Sequence, residues 1–153
     1  MASYLATVVS TRSPDEAFAY LADFRSVAEW DPSVRSALHV NGGDPISVGA
    51  VFRVTVKTAL SELVLDYETI ELERPDKIVL RAENNTMVSL DTITIRDDRR
   101  GGAAVTYDAK IDLKGLLKLA DPLLQLAFKR LGDKARDGLR GKLNPRQASP
   151  TAA

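Results

Sequence analysis

The sequence predicts an α+β fold: a curved antiparallel sheet of about seven strands wrapped around one long C-terminal helix, with two short helices after the first strand. Three observations predict it. Between Val34 and Leu113, short alternating runs are divided by the turn strings "NGGDP", "RPD", "NNT" and "DDRRGG", the pattern of consecutive antiparallel hairpins. From Lys114 to Asn144 the apolar residues recur at helical spacing. Two short segments with helix-start signals lie between the first strand and the hairpin series. A sheet and an amphipathic helix must each bury one face. The simplest solution curls the sheet around the helix, and because a curved sheet cannot follow a straight helix throughout, a cavity between them is expected.

The elements follow in order. "YLATVVST" is rich in β-branched residues and reads as a strand. In "SPDEAFAYLADF", Ser13 is the N-cap, Pro14 suits the first helical position and Glu16 completes a capping box. In "SVAEWDP", Ser26 and Glu29 repeat that device, and Asp31 before Pro32 resists the helical conformation, so the second helix ends near Trp30. The strands "VRSALHV", "AVFRVTVKT", "ELVLDYETIELE", "KIVLRAE", "VSLDTITIR" and "AAVTYDAKIDL" come next. In the third of these, Ile70 and Leu72 fall on the face opposite Leu65, which a β-bulge would reconcile. Asp121-Pro122 predicts a fresh helix start, giving a short first piece and a main helix from about Pro122 to Leu143. That helix has an apolar stripe of Leu124, Ala127, Phe128, Leu131, Ala135 and Leu139. Gly132, Gly138 and Gly141 each lower its propensity by up to about 1 kcal/mol, so packing must hold it.

Composition excludes several function classes. Twenty-one cations balance 21 carboxylates, which weighs against nucleic acid and against a polybasic membrane-surface protein. No cysteine is present, so disulfides, thiolate zinc sites and a Cys nucleophile are excluded. No run of about 18 apolar residues occurs, and "MASYLATVVSTRSP" lacks a signal-peptide pattern. These features lead to the expectation of a cytoplasmic protein with one domain over 1–144 and a mobile tail over 145–153.

Several strings carry a resemblance: "SPDEAFAYLADFRSVAEWDPSV", "ELERPDKIVLRA", "AVTYDAKIDLKG" and the Pro-broken C-terminal helix. Over about residues 3 to 143 the chain resembles the polyketide cyclase/dehydrase branch of the START-like (SRPBCC) superfamily, the helix-grip fold. The resemblance implies a deep apolar cavity for a lipid-like or polycyclic small molecule. Some members carry or sense such ligands, and others guide cyclisation and dehydration of polyketide chains. It also implies that Trp30, the single tryptophan, packs the short helices across the open end of the sheet. There it either plugs the core or walls the cavity mouth.

Candidates for chemistry are few. The single histidine, His39, sits between Leu38 and Val40 and is expected to face outward, which leaves no triad and too few metal ligands. Gly141-Lys142 is followed by Leu143 and lacks the P-loop glycine at Arg136. Asp66 and Glu68 share a face expected to be solvated. The cations of the C-terminal helix are interleaved with Asp133 and Asp137 and complement the helix dipole. Alternation turns three polar residues inward: Tyr67, Asp91 and Tyr107. A buried polar group needs a partner, which is either another strand's side chain or a ligand. A buried Asp91 can have a raised pKa and serve as acid or base.

Three readings follow. In the first, the protein binds a hydrophobic small molecule between sheet and helix, with walls from Phe52, Val54, Leu65, Tyr67, Tyr107, Leu124, Phe128 and Leu131, Asp91 among the polar groups, and Trp30 near the mouth. In the second, it is a cyclase or dehydratase acting on a poly-β-keto chain, with Asp91, Tyr107 or Tyr67 moving the proton. In the third, it is a protein-interaction module with a plugged cavity. Ala127→Phe is expected to block function under the first two readings alone. No cofactor, metal, nucleic acid or membrane insertion is expected, and the protein is a monomer or homodimer.

Overall fold

The structure, a computed structural model, describes residues 1–145; apart from Pro145, the expected C-terminal tail lies outside them. Seven strands form one antiparallel sheet: β1 (Ala2–Ser10), β2 (Val34–His39), β3 (Val51–Lys57), β4 (Glu62–Glu73), β5 (Lys77–Glu83), β6 (Met87–Asp97) and β7 (Ala103–Leu113). Their spatial order is β1-β7-β6-β5-β4-β3-β2, and the sheet is a curled half-barrel. Every connection from β2 onward is a hairpin between neighbours. The link from β1 to β2 crosses the whole sheet and carries α1 (Pro14–Ala22), a 3-10 turn (Phe24–Ser26) and α2 (Val27–Trp30). A 3-10 segment, Gly115–Ala120, then leads into the long helix α3 (Asp121–Leu143).

The N-cap of α1 is as expected: Ser13 Oγ accepts the Glu16 backbone N–H at 3.2 Å. The second cap differs. Ser26 makes no capping hydrogen bond, and Asp23 instead accepts the Arg25 N–H and starts the 3-10 turn. Once that turn runs directly into α2, Ser26 sits inside helical backbone, where a cap has no free donor to serve. Glu29 accepts the Tyr20 hydroxyl rather than closing a capping box. Asp121 is likewise inside the helix and makes no cap hydrogen bond.

Two bulges set which residues face inward. The β4–β5 register shifts between Thr69 and Glu71. This leaves Ile70 exposed and returns Leu72 to the inner face opposite the buried Ile78. The second shift, between Val34 and Ser36 on β2, corrects the expectation for His39. Past that bulge, His39 pairs with Phe52 and stacks on its ring with centroids 4.9 Å apart. Leu38 and Val40 are the residues that turn to solvent.

α3 lies along the edge of β1 and is fastened there at three points. The Gln125 side-chain amide donates to Ser3 O at 3.0 Å and accepts Ser3 N–H at 2.9 Å, completing the strand edge as another strand would. Tyr4 donates its hydroxyl hydrogen to Asp133 at 2.7 Å. The buried Asn144 accepts Thr11 N–H at 2.8 Å and donates to Val9 O at 2.8 Å. The helix glycines mark its closest approaches. A Cβ on Gly132 would overlap the Tyr4 ring, and one on Gly138 would overlap the Trp30 carbonyl oxygen. The core concentrates at this end, where Phe18, Phe24, Phe52, Leu139 and Leu143 are fully buried. The N-terminal half of α3 is tied to β1 through Gln125 but carries no fully buried side chain.

Candidate functional site

The inner sheet face carries a row of polar groups among apolar ones. Tyr67 on β4 and Ser89 on β6 are separated by β5, where Ala82 pairs with Ser89. Ala82 is small enough to let the Tyr67 phenol cross over it, so that the Tyr67 hydroxyl and Ser89 Oγ meet at 2.9 Å. Asp91, two residues along β6, pairs with Ala109 of β7, while Tyr107 pairs with Ile93. Tyr107 therefore reaches Asp91 diagonally and donates to its Oδ2 at 2.5 Å. Ser89 Oγ to Asp91 Oδ1 is 3.5 Å, at the limit of a hydrogen bond. The four residues thus form two tight pairs joined by a weak contact.

Aromatic rings surround this row. Trp30 meets the Tyr107 ring edge-on at 5.3 Å, and Phe24 contacts Tyr67 at 5.4 Å. Phe52, Val54 and Leu65 are buried beside them. Trp30 is 4% exposed, and its Nε1–H has no acceptor among the described residues. A buried indole donor ordinarily finds one.

The electrostatics follow from burial. Loss of water pushes the Asp91 carboxyl up to about 7, against the hydrogen bond from Tyr107, and the nearby charge of Asp31 adds to the rise. Burial, and then the Asp91 charge, hold the Tyr107 phenol well above 10. Tyr67 rises for the same two reasons. Asp31 is itself raised by burial, although Ser33 donates to it from its N–H at 2.8 Å and its hydroxyl at 2.7 Å. Both phenols are therefore neutral hydrogen-bond donors at ordinary pH, and Asp91 is the group that changes charge near neutrality. Sequence reasoning missed Ser89 and Asp31 as members of this cluster. The signal for Ser89 was its alternation with Asp91; that for Asp31 was the Asp-Pro-Ser string, which closes an Asx turn.

The α3 side chains expected to wall a cavity are only partly covered. Leu124 and Phe128 of α3 are half-buried, and Leu131 is 41% exposed. On the sheet, Val56, Leu63, Met87 and Ile111 are also half-buried. Ala127 of α3 is exposed, so a larger side chain there fills no space between helix and sheet. Ala109 lies on the inner face between Asp91 and Tyr4 in the strand register, where a larger side chain would fill that space. Two surface hollows of about 480 and 510 Å³ lie elsewhere, around Arg53–Asp66 and around Thr11–Arg140. Asp66 is on the outer face, where it pairs with Arg53 at 2.9 Å. Among the described residues no acidic or histidine cluster is placed to hold a metal, and no helix is long and apolar enough to cross a membrane.

Comparison with known proteins supplies a frame for this geometry. Residues 1–144 match a family model described as polyketide cyclase / dehydrase and lipid transport. A START superfamily protein from Mycobacterium smegmatis superposes with a TM-score of 0.77 at 12% identity, over 97% of this chain and 100% of that one. The Zhui aromatase/cyclase from Streptomyces sp. R1128 superposes at 0.76 with 14% identity, over 99% and 98%. One half of the di-domain aromatase/cyclase BexL also matches, at 0.70 and 13% identity, over 97% of this chain and 50% of that one. No curated protein matches the sequence.

Proposed function

From the premise that the chain belongs to the polyketide cyclase/dehydrase and lipid-transport family, we propose that it binds a hydrophobic small molecule, lipid-like or polycyclic, in the trough between the inner sheet face and α3. The observation that carries this reading is the Asp91–Tyr107 pair at the base of half-buried apolar walls. A ligand lying there completes the burial of Leu124, Phe128, Met87 and Ile111, at about 25 cal/mol per Å² removed from water. Its hydroxyl groups would donate to the phenol oxygens, and its carbonyl oxygens would accept the Trp30 N–H, which has no acceptor among the described residues; these contacts fix its orientation.

One specific observation favours a second reading, a cyclase or dehydratase acting on a poly-β-keto chain. A carboxyl at about 7 is matched to moving a proton at neutral pH. Asp91 would take a proton from the carbon between two carbonyls while the Tyr67 hydroxyl, whose hydrogen is free when Ser89 donates in their pair, donates to the developing enolate oxygen. Asp91→Asn and Tyr107→Phe separate the readings. If the protein only binds, each variant weakens affinity modestly and no turnover of a poly-β-keto thioester is seen in any form. If it is the enzyme, Asp91→Asn abolishes turnover while the ligand still binds.

A further inference from the structure

The segment leading into α3 has more exposed apolar surface than a ligand trough explains. Leu116, Leu119, Leu123 and Leu126 are 87%, 83%, 74% and 57% exposed. Within α3, Leu123 and Leu126 lie on the side of the helix away from Leu124 and Phe128, which face the sheet. This stretch is thus apolar on both sides, although a helix of that kind is ordinarily covered on both. Its charge is also unlike that of the rest of the chain. Between Lys114 and Leu131 four cations, Lys114, Lys118, Lys129 and Arg130, stand against one carboxylate, Asp121. Lys118 and Arg130 make no ion pair among the described residues, and they flank the leucines at both ends. The zero net charge of the whole chain conceals this local surplus.

We infer that this leucine surface and its flanking cations dock the protein on an anionic lipid bilayer, with the leucines in the headgroup boundary and Lys118 and Arg130 on the phosphates. Exposed leucines alone fit several partners. The flanking of leucines by unpaired cations is what selects a negatively charged lipid surface, because apolar insertion and lipid-charge attraction add together in an interfacial helix. The contact lies in the plane of the surface and crosses nothing. It does not rest on the trough reading, but it puts the open side of the trough next to a source of hydrophobic molecules.

The test is flotation of the full chain with vesicles of phosphatidylglycerol and phosphatidylcholine in equal parts, and with phosphatidylcholine alone. The expected result is binding to the anionic vesicles, lost in high salt, and at least about tenfold weaker on phosphatidylcholine. Leu123→Glu with Leu126→Glu, and separately Lys118→Glu with Arg130→Glu, should each weaken binding by about tenfold or more with an unchanged Tm, since all four side chains are exposed. Ala109→Phe, which fills the trough, should float like the wild type; it therefore separates this inference from the ligand-binding one. Failure of the wild type to float overturns the inference. So does equal flotation of the leucine variant, or a solution dimer that Leu123→Glu dissolves while vesicles leave the wild type unbound.

Discussion

Tyr107 donates its hydroxyl hydrogen to Asp91 Oδ2 at 2.5 Å across the β6–β7 pair, with the Trp30 ring against the Tyr107 ring. The pair shields a carboxyl from water while giving it one strong donor. That balance leaves Asp91 titrating near neutrality rather than near 4.

Asp91 therefore makes stability depend on pH. Its folded pKa of about 7 lies above the ordinary 3.8. Between those values the folded state holds a proton that the unfolded state has released, so stability falls as pH rises from about 4 to about 7. Above that window the penalty is complete, on the order of 4 kcal/mol. Asp91→Asn is expected to be more stable than wild type at pH 8 and nearly equal at pH 4. Urea denaturation at several pH values checks it; a variant with the wild-type pH slope contradicts it.

Tyr107→Phe removes the donor that holds the Asp91 pKa down. The Asp91 titration should move upward, as followed by carboxyl carbon NMR, and stability should drop by about 1–3 kcal/mol because a buried acceptor loses its partner. An unmoved or lowered titration would show that the hydrogen bond does not act on the charged form.

The helix glycines should respond in opposite directions. Gly138→Ala drives a Cβ into the Trp30 carbonyl oxygen, and should cost about 1–3 kcal/mol despite the gain in helix propensity. A Cβ on Gly141 meets nothing within 4 Å, so Gly141→Ala should gain about 0.5–1 kcal/mol. Thermal denaturation of both checks the order.

Asn144→Ala unlatches the end of α3 from β1. It orphans Thr11 N–H and Val9 O, and should cost about 2–4 kcal/mol. Hydrogen exchange should then quicken at Thr11 and in the last turn of α3, and leave β4–β6 protected.

The strands were legible because alternation and turn residues agree along most of the chain, and the β4 bulge announced itself when Ile70 and Leu72 broke the phase of Leu65. The β2 bulge had no such signal: Leu38 and Val40 are apolar on the wrong side, so His39 read as outward. The inward placement of Tyr67, Asp91 and Tyr107 followed from period two alone. Their partnership did not, because it needs Ala82 on an intervening strand and a register that only the folded sheet defines. The rotation of α3 was also hidden. It is set by Gln125, the Tyr4–Asp133 bond and the bare Gly132 face, which turn Ala127 outward although its spacing belongs to the apolar stripe.

The most direct test of the trough is a fluorescence titration of Trp30, the single tryptophan, with a fused-ring phenol and with a long-chain fatty acid. The account predicts a saturable change in emission with at least one of them, which Ala109→Phe abolishes and Ala127→Phe leaves intact. No saturable change with either class, or equal responses from wild type and Ala109→Phe, would contradict it.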